Sequence, residues 1–168
     1  MSQLTLTLDT PLMVRDGRGR YRLADADQIL EAARQVIEQK MQRGEAFTSP
    51  EAVKDYLRAK LAGFEHEVFA VLFLDTRHRL IDYVEMFDGT IDAADVHPRE
   101  VVKQALRLNA AAVIVSHNHP SGNSEPSAAD KAMTSQLRQA LALVDVRTLD
   151  HIIVAGGTTT SFAERGLI

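Results

Sequence analysis

Ser116-His117-Asn118-His119-Pro120-Ser121-Gly122-Asn123-Ser124-Glu125-Pro126-Ser127-Ala128-Ala129-Asp130 is the stretch on which the reading of this chain turns. It follows the aliphatic run Ala111 to Val115 and leads into a helical pattern from Ser127 to about Ala142. In extended chain, residues two apart point the same way, so His117 and His119 can present both imidazoles to one point. Neutral imidazole is a good zinc ligand, and a carboxylate can supply the third protein ligand. Asp130 stands eleven residues after His119, in the first turn of the next helix, and the Gly- and Pro-containing loop between them can fold that turn back toward the strand end. Three protein ligands leave a fourth tetrahedral position open for water, the catalytic rather than the structural arrangement. Each part also has a plainer reading. An isolated His-x-His is often only a polar loop, and Ser127-Ala128-Ala129-Asp130 resembles a capping box with a carboxylate at N3. The two readings partly merge, because Ser127 at a helix start can cap while exposing its hydroxyl to a neighbouring metal site.

Outward from this stretch, the periodicity predicts an α/β domain. Val68 to Leu74 is a continuous apolar run that suits a strand buried on both faces, and Leu80 to Phe87 is its antiparallel partner across the turn Asp75–Arg79. Asp88-Gly89 begins a loop ending at His97-Pro98, and Pro98 starts a helix with Val101, Val102, Ala105 and Leu108 on its apolar face. Ala111 to Val115 reads as a short buried strand, Ser116 to Pro126 as a polar loop, and Leu149–Val154 with Thr159–Phe162 as a last strand pair around Gly156-Gly157. Upstream, Ser49 is placed to cap a helix opened by Pro50, with Val53, Leu57 and Leu61 as its buried stripe and Gly63 at its end. A further helix is expected from about Asp25 to Gln42, with Leu30, Ala33, Val36, Ile37 and Met41 at helical spacing and Gly44 as its C-cap. Before it, Leu12-Met13-Val14 and Tyr21-Arg22-Leu23 flank the turn Asp16-Gly17-Arg18-Gly19. Strands interleaved with helices and including hairpin-like pairs imply one domain with a mixed sheet. We divide the chain into an N-terminal hairpin-plus-helix extension, 1–47, and the metal-binding domain, 48–168.

Composition narrows the chemistry. The chain of 168 residues has no cysteine, which removes disulfides, thiolate metal sites and cysteine nucleophiles. A zinc nucleobase deaminase is dismissed on the same ground, since its Pro-Cys-x-x-Cys partner motif is missing. No apolar run approaches the roughly 20 residues needed to span a bilayer, and MSQLTLTLDT lacks the regions of a secretory signal, so a cytoplasmic protein is expected. A net charge of −4, from 19 Lys+Arg against 23 Asp+Glu, gives no global drive toward phosphate backbones. Arg15, Arg18, Arg20 and Arg22 cluster loosely, but no aromatic stacking platform accompanies them, so they read as a solvated surface.

The full string, His-x-His-Pro followed by Ser-x-x-Asp, resembles the JAMM signature of the JAB/MPN superfamily. The wider context resembles the RadC family in particular: Glu67-Val68-Phe69, Gly89-Thr90, His97-Pro98-Arg99-Glu100, His117 through Asn123, Pro126-Ser127, Asp130 and Asp150-His151-Ile152-Ile153, over about residues 48 to 168. The resemblance implies the JAB/MPN, cytidine-deaminase-like architecture and a zinc ion held by His117, His119 and Asp130. It further implies a glutamate acid/base, which corresponds to Glu67, and a hydrogen bond from Ser127 to a developing oxyanion. Glu65 shares the strand parity of Glu67 and competes for its role. His66, His78 and His97 read as surface or helix-bracing residues, and His151 as a second-layer or packing residue beside a ligand set already complete. The leading 47 residues show no helix-hairpin-helix motif, which weakens any DNA role, and the insertions with which deubiquitinating relatives hold ubiquitin are not evident. Asn118 stands where those relatives have Ser or Thr.

Two functions follow as expectations. One is a zinc metallopeptidase-type hydrolase acting on an amide or isopeptide bond of a peptide or protein substrate. The other is a zinc-stabilised binding module that engages protein or nucleic acid, in DNA repair or mobile-element biology by association with the family.

Overall fold

The computed structural model of the chain describes residues 12–15, 17–40, 47, 49–89 and 96–168. The expected positions Asp16, Met41, Gly44 and Thr90 lie outside the described residues. Strands β1 (Met13–Arg15) and β2 (Tyr21–Leu23) pair antiparallel as a small hairpin, followed by α1 (Ala26–Lys40). Ser49 caps α2 (Pro50–Leu61) by accepting a hydrogen bond from the Ala52 N–H at 3.2 Å, and Pro50 occupies the first turn, where its missing N–H costs nothing. Gly63, at φ 95°, turns the chain out of this helix in a conformation that disfavours any side chain.

The central sheet has the order β4-β3-β5-β6-β7, from β3 (Val68–Leu74), β4 (Leu80–Asp88), β5 (Ala112–Asn118), β6 (Arg147–Ala155) and β7 (Thr158–Ser161). Strand β3 runs antiparallel to both β4 and β5, β5 runs parallel to β6, and β6 turns back antiparallel into β7. The α/β mixed sheet is therefore as the periodicity requires. All seven residues of β3 are buried because helices cover both faces. On one face α2 sets Val53, Leu57 and Leu61 against Ala70, Leu72, Ile114 and Ile152. On the other, α3 (Pro98–Arg107) and α4 (Ala128–Ala142) set Val101, Ala105, Leu137 and Leu141 against Phe69, Val71, Phe73 and Val115. Lys54, buried on α2, is satisfied by Glu164 at 2.6 Å and Glu51 at 3.0 Å.

One boundary differs from expectation in a way that matters. Strand β5 does not stop at Val115 but continues through Ser116, His117 and Asn118, all buried. The reason is hydrogen bonding. The Ser116 hydroxyl donates to the Ile152 carbonyl at 2.6 Å, and the Asn118 side-chain oxygen accepts from the Val68 N–H at 2.7 Å. Polar side chains that find partners between two neighbouring strands no longer need water, so the loop begins only at His119. Strand β6 likewise starts at Arg147, two residues before the hydrophobic run. Among the described residues, no helix is long and apolar enough to cross a membrane.

Candidate metal centre

The parallel β5–α4–β6 crossover places the carboxyl end of β5 beside the N-terminus of α4. His117 lies within β5 and His119 one residue past its end, so strand alternation carries both rings to the face covered by α4. The turn after β5 is closed by the Gly122 N–H donating to the His119 carbonyl at 3.0 Å. Gly122 itself has φ 78°, a requirement of backbone conformation rather than of space, since nothing lies near where a Cβ would stand. The loop is tied to the C-terminal segment by a two-pronged ion pair between Arg165 and Glu125, at 2.7 and 2.9 Å.

At the start of α4 the helix cap and the metal-site reading coincide. Ser127 Oγ accepts from the Asp130 N–H at 3.0 Å, and Asp130 Oδ2 accepts from the Ser127 N–H at 2.7 Å, a complete capping box. The other carboxylate oxygen, Oδ1, lies 3.3 Å from His117 Nε2, and Oδ2 lies 3.7 Å from His119 Nε2. The two Nε2 atoms are 2.9 Å apart. One donor atom from each of His117, His119 and Asp130 thus falls within 4.8 Å of the others, a group able to hold a metal ion. Burial by itself pushes the Asp130 carboxyl up, but His117 and then the two Ser127 contacts outweigh it and hold the carboxyl well below the usual range. It is a carboxylate at neutral pH.

His119 Nδ1 faces the Asn123 carbonyl oxygen at 2.6 Å. A carbonyl only accepts, so Nδ1 carries the proton and the lone pair of Nε2 points toward His117 and Asp130. Two imidazoles and one carboxylate are a donor set that suits zinc, and this arrangement fits it.

Beyond the triad, His151 on β6 places Nε2 2.7 Å from His117 Nδ1. Thr134, a buried residue one turn beyond Asp130, lies 2.6 Å from His151 Nδ1 through Oγ1 and donates to the Asp130 carbonyl at 2.6 Å. Nothing in the sequence motif points to Thr134; helical spacing from Asp130 was the one available signal. His97 precedes α3 without a side-chain cap bond and packs edge-on against Phe87, with ring centroids 5.8 Å apart.

Glu67 directly precedes β3. Phe69, two residues on, pairs with His117. The Glu67 carbonyl accepts from the Gly89 N–H at 2.7 Å. Asn118 brackets it, accepting from the Val68 N–H at 2.7 Å and donating to the His66 carbonyl at 2.9 Å. Glu65 instead lines a cavity of about 430 Å³ shared with Phe64, Asn118, His119 and Pro120. Among the described residues, neither carboxylate makes a hydrogen bond or ion pair of its own.

Residues 47–167 match the family described as the RadC-like JAB domain. A UPF0758 protein of Vibrio cholerae is 57% identical over 152 residues, spanning 89% of this chain and 96% of that one. A UPF0758 protein of Methylibium petroleiphilum is also 57% identical over 152 residues, spanning 90% of this chain and 68% of its own length. One from Nitrosococcus oceani is 53% identical over the same length, with the same coverage. These names assign no activity.

Proposed function

Since the chain belongs to the RadC-like JAB-domain family, we propose that it is a zinc-dependent hydrolase that cleaves an amide or isopeptide bond in a peptide or protein. The observation that carries this reading is the convergence of His117, His119 and Asp130 on one point, from a strand end and a capped helix start. Zinc held by these residues supplies Lewis acidity toward a carbonyl oxygen and makes a water more acidic near neutral pH.

The chain's own residues carry the proton and the charge. Glu67 accepts the proton of the attacking water at its carboxylate as the water oxygen bonds to the carbonyl carbon. The C–N bond then breaks, and the same proton passes from Glu67 to the leaving amine. The bracket of Asn118 around residues 66 to 68 supports this role by fixing the backbone from which Glu67 projects. Ser127 receives the Asp130 N–H on its oxygen, and its hydroxyl, beside the Asp130 carboxylate, can turn to donate to the developing oxyanion.

Metal analysis of the purified chain beside a His117→Ala/His119→Ala variant tests the centre, with metal expected in the wild type alone. Turnover of a peptide and isopeptide library tests the chemistry. Glu67→Gln is expected to keep its zinc and lose about 10²- to 10⁴-fold in rate, while Glu65→Gln stays near wild type. Cleavage that persists in Glu67→Gln and falls in Glu65→Gln would transfer the role to Glu65. Cleavage unchanged in both would remove the mechanism.

A further inference from the structure

We propose that Thr134 and His151 form a hydrogen-bond relay from the backbone carbonyl of Asp130 to the ring of His117, fixing which nitrogen of His117 faces the metal and thereby setting metal affinity. The proposal rests on the metal centre of the reading above and is independent of hydrolysis.

The direction of each bond follows from the atoms present. A carbonyl oxygen has no proton to give, so the 2.6 Å contact between Thr134 Oγ1 and the Asp130 carbonyl holds the threonine's only hydroxyl proton. With that proton committed, Oγ1 can only accept across its 2.6 Å contact with His151 Nδ1, which must therefore carry hydrogen. The His151 ring is wholly buried and, among the described residues, its two nitrogens face only Thr134 Oγ1 and His117 Nδ1, with no carboxylate to balance a charge, so it is neutral and its Nε2 is a bare acceptor. The 2.7 Å contact with His117 then requires the proton on His117 Nδ1. What remains for the metal is His117 Nε2, the atom that stands 2.9 Å from His119 Nε2 and 3.3 Å from Asp130 Oδ1. The reverse direction fails on the same atoms. It would leave two oxygens 2.6 Å apart with no proton between them, and would put a proton on His117 Nε2 where the metal belongs.

Packing holds the relay in this one arrangement. The His151 ring is fully buried, 4.5 Å from the Phe162 ring and 6.2 Å from that of Phe69, centroid to centroid. Thr134 is 2% exposed, so water has no access to compete for its hydroxyl. The backbone of Asp130, one ligand, thus orients the ring of His117, another, across two separate elements. Thr134 and His151 are positioning residues: they act on the metal through the ligands.

The experiment measures zinc affinity, by competition with a chromophoric chelator, for wild type, Thr134→Ser and Thr134→Val. Imidazole nitrogen NMR is recorded on each protein with and without zinc. Loss of a partner in the second layer of a metal site weakens binding about 10- to 100-fold. That loss is expected for Thr134→Val, which keeps the shape without the hydroxyl, and Thr134→Ser is expected to restore affinity. With zinc bound, the wild type is expected to show the proton on Nδ1 of both His117 and His151. A folded Thr134→Val that binds zinc as tightly as wild type overturns the relay, as does a wild-type spectrum with His151 protonated at Nε2. The spectrum of the unmodified protein decides the direction even if Thr134→Val does not fold. A wild type that binds no zinc overturns the metal reading itself, whereas zinc bound with no deficit in Thr134→Val overturns the relay alone.

Discussion

At the scale of single residues, Asn118 shows how much of this centre depends on a side chain that is neither ligand nor acid. It sits between the two histidines, yet strand alternation turns it to the opposite face, where its amide makes one bond on each side of Glu67. Asn118→Ala removes both partners and leaves a buried N–H and a carbonyl unsatisfied, a cost of about 1–3 kcal/mol for such a group. The ligands themselves are untouched, so zinc content is expected to stay at the wild-type level while turnover falls toward that of Glu67→Gln. Metal analysis and kinetics on the same preparation check this; loss of zinc in Asn118→Ala would show that the bracket serves the ligands instead. The grouping of His117, His119 and Asp130 was only partly legible from spacing, which left a polar loop and a helix cap as rival readings; the full His-x-His-Pro and Ser-x-x-Asp string, through its resemblance to the JAMM signature, singled out the three. Asn118 and Thr134 were not legible as positioning groups. Their partners, His66, Val68 and His151, are 52, 50 and 17 residues away, and only the pairing of β3 with β5 and the packing of α4 on β6 bring them together.

At the scale of elements, α4 is capped by the same carboxylate that faces the two imidazoles. Ser127→Ala removes the acceptor of the Asp130 N–H and is expected to cost about 1 kcal/mol in stability, the usual range for a lost N-cap being 0.5–2. It should also weaken zinc binding, because the lost bond to Ser127 Oγ places the backbone of Asp130 in the first turn, although the Ser127 N–H still holds the carboxylate. Thermal denaturation with and without zinc separates the two effects: a deficit larger with zinc present shows that cap and ligand are coupled. A second element-level test lies at the β3–β4 turn, which the sequence placed at Asp75–Arg79. Asp75 accepts from the N–H groups of Arg79 at 3.0 Å and Arg77 at 2.8 Å, and from the Arg79 guanidinium at 2.7 Å. The Arg79 backbone bond first, then the guanidinium and the Arg77 N–H, outweigh desolvation and lower its pKa from 3.8 to about 2. A folded-state pKa below the unfolded one gives stability that is complete above pH 3.8 and is lost as the pH falls toward about 2. The stability difference between wild type and Asp75→Asn is therefore expected to be constant near neutrality and to shrink across that window, as acid-dependent melting curves would show. The apolar runs made β3 and α2 readable, since burial on both faces or on one stripe leaves a period in the sequence. The end of β5 was not readable, because Ser116, His117 and Asn118 are polar and become strand only through partners on β3 and β6.

At the scale of the whole molecule, the sheet separates two packing layers with different relations to the centre. The α2 layer closes on Leu57 and Leu61, whereas the α3–α4 layer closes on Leu137 and Leu141, on the helix that carries Asp130 and Thr134. Leu57 and Leu137 are both fully buried, so truncating either to alanine is expected to cost about 2–5 kcal/mol through lost transfer energy and the cavity left behind. Their effects on the metal should differ. A cavity under Leu137 lets α4 shift against β5, and a ligand set spanning those two elements tolerates little movement between them. A cavity under Leu57 lies across the sheet and leaves β5 and α4 packed as before. Zinc bound to the native state alone stabilises it by about 2.7 kcal/mol at a hundredfold excess over Kd. That increment should be retained in Leu57→Ala and reduced in Leu137→Ala, in proportion to the lost affinity. Denaturant melts of both variants with and without zinc provide the comparison. Equal protection in the two would mean that the centre is held by its hydrogen-bond network alone, with the α4 packing layer contributing nothing to its geometry.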